Sequence, residues 1–149
     1  MKPMRLDKIN ILMADDDPDD RLLMKEALEE IELPNAIDFV EDGAELMDYL
    51  YQKGRFLIDK TVKPNLILLD LNMPKINGHE ALRLIKSDPV LRRIPVIVLT
   101  TSKAEGDVIK TYDLGVNSYI SKPADFDELV KVAREIERYW FGIVELPKN

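Results

Sequence analysis

Four short apolar runs in this chain each stop at a residue with chemistry to offer, and that shared placement constrains the fold more than any other feature. Ile9 to Ala14 runs into Asp15 and Asp16, and the Ile-Leu-Leu stretch inside Asn65 to Asn72 runs into Asp70. Ile-Pro-Val-Ile-Val-Leu ends at Thr100, and Ser-Tyr-Ile-Ser ends at Lys122-Pro123. Runs this short and apolar, separated by stretches of helical period, read as buried parallel strands. Open parallel sheets bind ligands outside the carboxyl ends of their strands. Three carboxylates, a hydroxyl and an amine therefore converge on one sheet edge.

The residue types say what that edge can do. Clustered aspartates repel one another, so they either take up protons or recruit a cation. An all-oxygen donor set suits a hard divalent ion. Mg2+ keeps several waters and uses one or two carboxylates plus a phosphate, which fits a sparse acidic pocket better than a Ca2+ cage. A carboxylate also serves as a nucleophile that forms aspartyl phosphate, with a nearby Lys and Thr stabilising the phosphoryl oxygens during in-line transfer.

On these residues the chain resembles a response regulator receiver domain, the phosphoacceptor half of two-component signalling. Met-Ala-Asp15-Asp16-Asp17-Pro is similar to the family's acidic strand end, and Leu-Asp70-Leu-Asn-Met-Pro-Lys-Ile-Asn-Gly to its phosphoacceptor segment. Leu-Thr100-Thr-Ser and Tyr119-Ile-Ser-Lys122-Pro resemble its two switch segments, and all four motifs stand in the family's order. The resemblance implies that Asp70 takes a phosphoryl group from a histidine kinase or a phosphotransfer protein. It implies Mg2+ on Asp16, Asp70 and the main-chain carbonyl of Asn72, with Asp15 acting mainly through water. Thr100 and Lys122 would hold the phosphoryl oxygens, and the Tyr119 ring would move inward as Thr100 shifts. The bond before Pro123 would be cis, as X-Pro bonds alone commonly permit.

Length and composition agree. With 149 residues and 46% hydrophobic content, the chain suits one domain with a proper core, residues 1–149, in which 139–149 form an apolar C-terminal extension. A net charge of -7 argues against direct nucleic-acid binding, which usually needs a basic face. No cysteine is present, so neither a disulfide framework nor a thiol nucleophile is available. No apolar run approaches the roughly 18 residues that a membrane span needs. The expectation is a cytoplasmic signalling module without an obvious output domain, a phosphoacceptor rather than an enzyme with a separate substrate.

Five strand candidates alternate with five helix candidates. Asp17-Pro18 followed by Asp19-Asp20 is a helix start, and Met24, Ala27, Leu28 and Ile31 give that helix its buried stripe. Ala36 to Glu41 reads as an edge strand, Gly43 to Tyr51 as a helix and Gln52 to Pro64 as the loosest stretch. A helix over Gly78 to Lys86, a strand over Pro95 to Leu99 and a helix over Glu105 to Leu114 follow. Ser118 to Ser121 and a helix from Asp125 complete the series. Strict alternation with short links implies right-handed crossovers and a doubly wound, flavodoxin-like α/β sandwich with sheet order 2-1-3-4-5. That order brings Asp15, Asp16 and Asp70 together at the switch point. His79 is expected to be exposed, without catalytic or metal role.

The chain's end carries a second signal. After the fifth helix the apolar pattern continues through Tyr139, Trp140, Phe141, Ile143, Val144 and Leu146. An apolar segment without a second domain to cover it marks a partner surface, and a homodimer is one reading; the other is that the tail folds back on its own domain. This ending, with Tyr-Leu-Tyr-Gln-Lys-Gly in the longer second-helix region, resembles the single-domain receivers that serve bacterial phytochromes, light-sensing histidine kinases.

Other classes fit less well. A haloacid-dehalogenase-like phosphatase also uses a strand-end Asp with Mg2+, but wants a second Asp where this chain has Asn72, and carries its nucleophile on the first strand. A nucleotide-binding α/β enzyme needs a glycine-rich loop where this chain has Ala14-Asp-Asp-Asp-Pro. A receiver acting as scaffold or phosphate sink, with no dedicated effector, stays open.

Overall fold

The strands alternate inward-facing residues toward two separate apolar layers, which is how a parallel sheet buries both faces. In the computed structural model, which describes residues 9–33, 36–59 and 61–147, the strands are β1 (Ile11–Ala14), β2 (Ile37–Val40), β3 (Leu66–Leu69), β4 (Val96–Thr100) and β5 (Ser118–Ser121). They form one parallel sheet in the order β2-β1-β3-β4-β5. The helices are α1 (Pro18–Glu30), α2 (Gly43–Tyr51), α3 (Gly78–Ser87), α4 (Glu105–Asp113) and α5 (Phe126–Ile136). Leu12, Ala14, Ile67 and Leu69 join α2 and α3 in one layer, while Ile11, Met13, Leu66 and Leu68 join α1 and α5 in the other. Leu12, Leu66, Ile67 and Leu69 are fully buried, each stabilising the fold by about 1.5–3 kcal/mol.

Local chemistry sets the helix starts. Asp17, Asp42, Asn77 and Asp125 each accept a hydrogen bond from a backbone N–H two or three residues on, capping α1, α2, α3 and α5. Pro18 occupies the first position of α1, where no N–H is needed. α4 differs: no side chain caps it at Ala104, and Thr111 is its buried residue. Gly78 has a steric reason to be glycine, because a Cβ there would collide with the Asp70 carbonyl oxygen. α3 can therefore start directly under the end of β3.

The element boundaries agree with the sequence reading to within one or two residues, apart from β3, which is shorter. The loose stretch after α2 contains a 3-10 turn, Gly54–Leu57. The chain's end corrects one expectation. After α5 a π-helical turn, Glu137–Phe141, rotates Phe141 into the α1/α5 layer, where it is 2% exposed. Phe141 therefore cannot form part of a partner surface. Trp140 and Leu146 are partly buried against the same layer, Val144 is half-buried, and Tyr139 and Ile143 stay exposed.

Candidate functional site

Each strand-end residue arrives at the same place by a backbone reason. Parallel pairing continues past the strands: the Asp15 N–H donates to the Val40 carbonyl and the Asp70 N–H to the Ala14 carbonyl. The ends of β1 and β3 are thus locked side by side. The Lys122 N–H donates to the Thr100 carbonyl at 2.8 Å, which ties the end of β5 to the last residue of β4.

The side chains then meet. The Thr100 hydroxyl donates to Asp70 Oδ1 at 2.8 Å. Lys122 Nζ lies 2.7 Å from Asp15 Oδ2, 2.6 Å from Asp20 Oδ2 and 3.3 Å from Asp70 Oδ2. Asp15, Asp70 and Thr100 are buried, whereas Asp16 opens to solvent. One carboxylate oxygen from each of Asp15, Asp16 and Asp70 falls within 4.8 Å of the others. Asn72 stands exposed beyond the strand, its N–H 3.4 Å from Asp70 Oδ1.

Electrostatics follows from this crowding. Burial pushes the Asp15 carboxyl above its ordinary value, and the Asp70 charge adds to the rise, while Lys122 and the Asp17 N–H oppose it. Burial alone would lower Lys122, but close contact with the Asp15 and Asp20 carboxylates and the charges of Asp15 and Asp70 outweigh it and hold the ammonium above its ordinary value. Asp15 Oδ2, although close to Lys122, makes no directed hydrogen bond. An all-oxygen group with one such atom and one exposed member is a donor set that Mg2+ fits, as the sequence implied.

Tyr119, which the family resemblance marks as a switch residue, lies beside the same edge. Tyr119 is half-buried, and its hydroxyl donates to the Ser102 carbonyl at 2.9 Å. The bond before Pro123 is a correction: it is trans, and no cis peptide bond occurs among the described residues. Trans is the favoured form of an X-Pro bond by about 0.5–1 kcal/mol, and with it Lys122 already reaches three carboxylates.

Two positions were misjudged from the sequence. His79 is not fully exposed: it is half-buried, with Nε2 3.0 Å from Asp107 Oδ1, and Asp107 also accepts from the Ser102 hydroxyl at 2.6 Å. This bridge fastens the uncapped start of α4 to α3. By sequence Asp20 is a helix-start acid. Its spacing to Met24, Ala27 and Ile31 puts it on the buried stripe of α1, and an acid on such a stripe needs a cation.

A parallel five-stranded sheet with this acid, hydroxyl and amine edge defines a phosphoacceptor class, and sequence comparison agrees. The response regulator receiver domain family matches residues 11–134, and the chain belongs to that family. Rcp1, a response regulator of Synechocystis, is 42% identical over 137 residues, covering 92% of each chain. The phosphorylated cyanobacterial phytochrome response regulator RcpA superposes with a TM-score of 0.86 at 44% identity, over 94% of this chain and 99% of its own. FilR2 of Methanothrix harundinacea, described as a probable methanogenesis regulatory protein, is 39% identical over 91% of this chain and 86% of its own.

Proposed function

We propose that this receiver accepts a phosphoryl group on Asp70 from a phytochrome-type sensor histidine kinase, and that phosphorylation resets the surface of α4, β5 and α5. The observation that carries the reading is Asp70 bracketed by the Thr100 hydroxyl on one oxygen and the Lys122 ammonium on the other. An Asp70 oxygen bonds to phosphorus while the bond from phosphorus to the donor's imidazole nitrogen breaks. Thr100 and Lys122 hold the developing charge on the phosphoryl oxygens. Asp16, Asp70 and the Asn72 carbonyl would hold Mg2+, whose positive charge would let an anionic donor approach an anionic pocket.

Transfer of Thr100 toward the new phosphoryl group loosens its neighbour Ser102, whose carbonyl holds Tyr119 and whose hydroxyl holds Asp107. Tyr119 is then free to turn inward, and α4, lacking a side-chain cap, yields first. Phosphorylation biases two arrangements already within reach of the fold.

The phytochrome pairing is supported by the likeness to RcpA. The cytoplasm suits a kinase partner, and no helix among the described residues is long and apolar enough to cross a membrane. The charge of -7 supports a receiver that does not touch nucleic acid itself. Exposed Tyr139 and Ile143 beside Trp140 support a homodimer through the end of the single domain, a smaller surface than the sequence suggested.

Phosphotransfer from a radiolabelled, autophosphorylated phytochrome-type kinase tests the proposal. Label is expected on the wild type and absent from Asp70→Asn. Label on both proteins would remove Asp70 as acceptor, and equally fast transfer from an unrelated kinase would remove the phytochrome pairing.

A further inference from the structure

Lys122 answers to an acid outside the strand-end group. Its shortest contact, 2.6 Å, is to Asp20 in the first turn of α1, against 2.7 Å to Asp15 and 3.3 Å to Asp70. An ammonium has three donors and no acceptor; Asp20 and Asp70 each accept a directed hydrogen bond from it, and Asp15 adds an ion pair without one. The pair is sheltered, with the Lys122 side chain 12% exposed and that of Asp20 29%. Met13, Leu99 and Phe126 line a small cavity with both of them, which weakens screening by water. Asp20 cannot follow Lys122 far toward the sheet, because the Asp17 cap and Pro18 fix its turn and α1 packs on α5.

We propose that Asp20 is a positioning residue that draws Lys122 toward α1 and lengthens its contact with Asp70, so that the ammonium must release Asp20 before it can bind a phosphoryl oxygen. This rests on Asp70 being the phosphoacceptor and Lys122 its phosphoryl contact. The phosphoryl oxygens carry about two negative charges where the Asp70 carboxylate carried one, enough to draw Lys122 from a single carboxylate. Asp20, at the open side of the pair, takes up water once released. It thereby sets the balance between resting and phosphorylated states without touching the phosphoryl group.

The test uses acetyl phosphate with Mg2+, where an Asp70 oxygen bonds to phosphorus and acetate leaves. Intact mass follows both the rate of phosphorylation and the loss of the group on dilution. Asp20→Asn is expected to raise the rate and lengthen the half-life by roughly fivefold, the worth of one competing hydrogen bond. Asp20→Ser should repeat the gain, while Asp20→Glu keeps wild-type behaviour. In a Lys122→Ala background Asp20→Asn should change nothing, which separates an effect through Lys122 from a general change in α1. Rates for Asp20→Asn and Asp20→Ser within about twofold of wild type, or slower, would overturn the inference. So would the same gain without Lys122. A wild type that takes no phosphoryl group would instead remove the phosphoacceptor reading and this inference with it.

Discussion

At the carboxyl edge of the sheet, charged groups are sunk into the protein and each answers to another: Asp15 is fully buried, Asp70 nearly so, and Lys122 spans both. In the segment after α5 the order is looser. Phe141 is buried while Tyr139 and Ile143, two residues to either side, are about half exposed. The difference teaches that burial binds the two kinds of residue unequally. A carboxylate cannot be buried without a partner, so one buried acid dictates the position of its neighbours. A single exposed apolar side chain is common on protein surfaces and demands no partner, so its presence dictates little about its neighbours.

That contrast can be broken or sharpened by substitution. Phe141→Ala should cost about 3–5 kcal/mol in chemical denaturation, because the ring fills the α1/α5 layer. A cost near zero would mean that the tail is not anchored there. Lys122→Ala should slow phosphorylation by acetyl phosphate about 100-fold, near 2.7 kcal/mol of barrier, as loss of one preorganised charge does. Mg2+ at ten times its Kd should stabilise the wild type by about 1.4 kcal/mol, and Asp16→Asn should lose most of that gain in a thermal melt. Ile143→Ser should change stability by less than about 0.5 kcal/mol while shifting any monomer–dimer equilibrium seen in sedimentation.

The smallest effect concerns pH. The Ser102 hydroxyl, and then His79, hold the Asp107 carboxyl below its ordinary value of 3.8. A depressed carboxyl contributes stability above its unfolded value and loses it as pH falls through the folded one. Asp107→Asn should therefore lower stability slightly at neutral pH, by an amount that shrinks as pH falls below about 4. A loss that stays the same in acid would place the role of Asp107 elsewhere than in its charge.

The sequence made the sheet order, all ten main elements and the converging edge legible, for a common reason. Asp70 directly after Ile-Leu-Leu has no cheap explanation without a cation nearby, and Lys122 supplies one. Asp20 and His79 escaped notice because their partners, Lys122 and Asp107, lie 102 and 28 residues away and no local pattern links them. Both a partner surface and a fold-back were open for the tail, and which of its residues turn inward was not legible because a single π-helical turn shifts the helical phase and nothing in Tyr-Trp-Phe announces that shift. Trans geometry before Pro123 was missed because the cis form came from the family resemblance and not from any residue of this chain.

The central claim is that the buried edge is a phosphoacceptor built on Asp70, and intact mass after incubation with acetyl phosphate tests it most directly. The account predicts one phosphoryl adduct on the wild type that disappears without Mg2+ and in Asp70→Asn. An adduct that survives in Asp70→Asn, or that forms equally well without Mg2+, would contradict it.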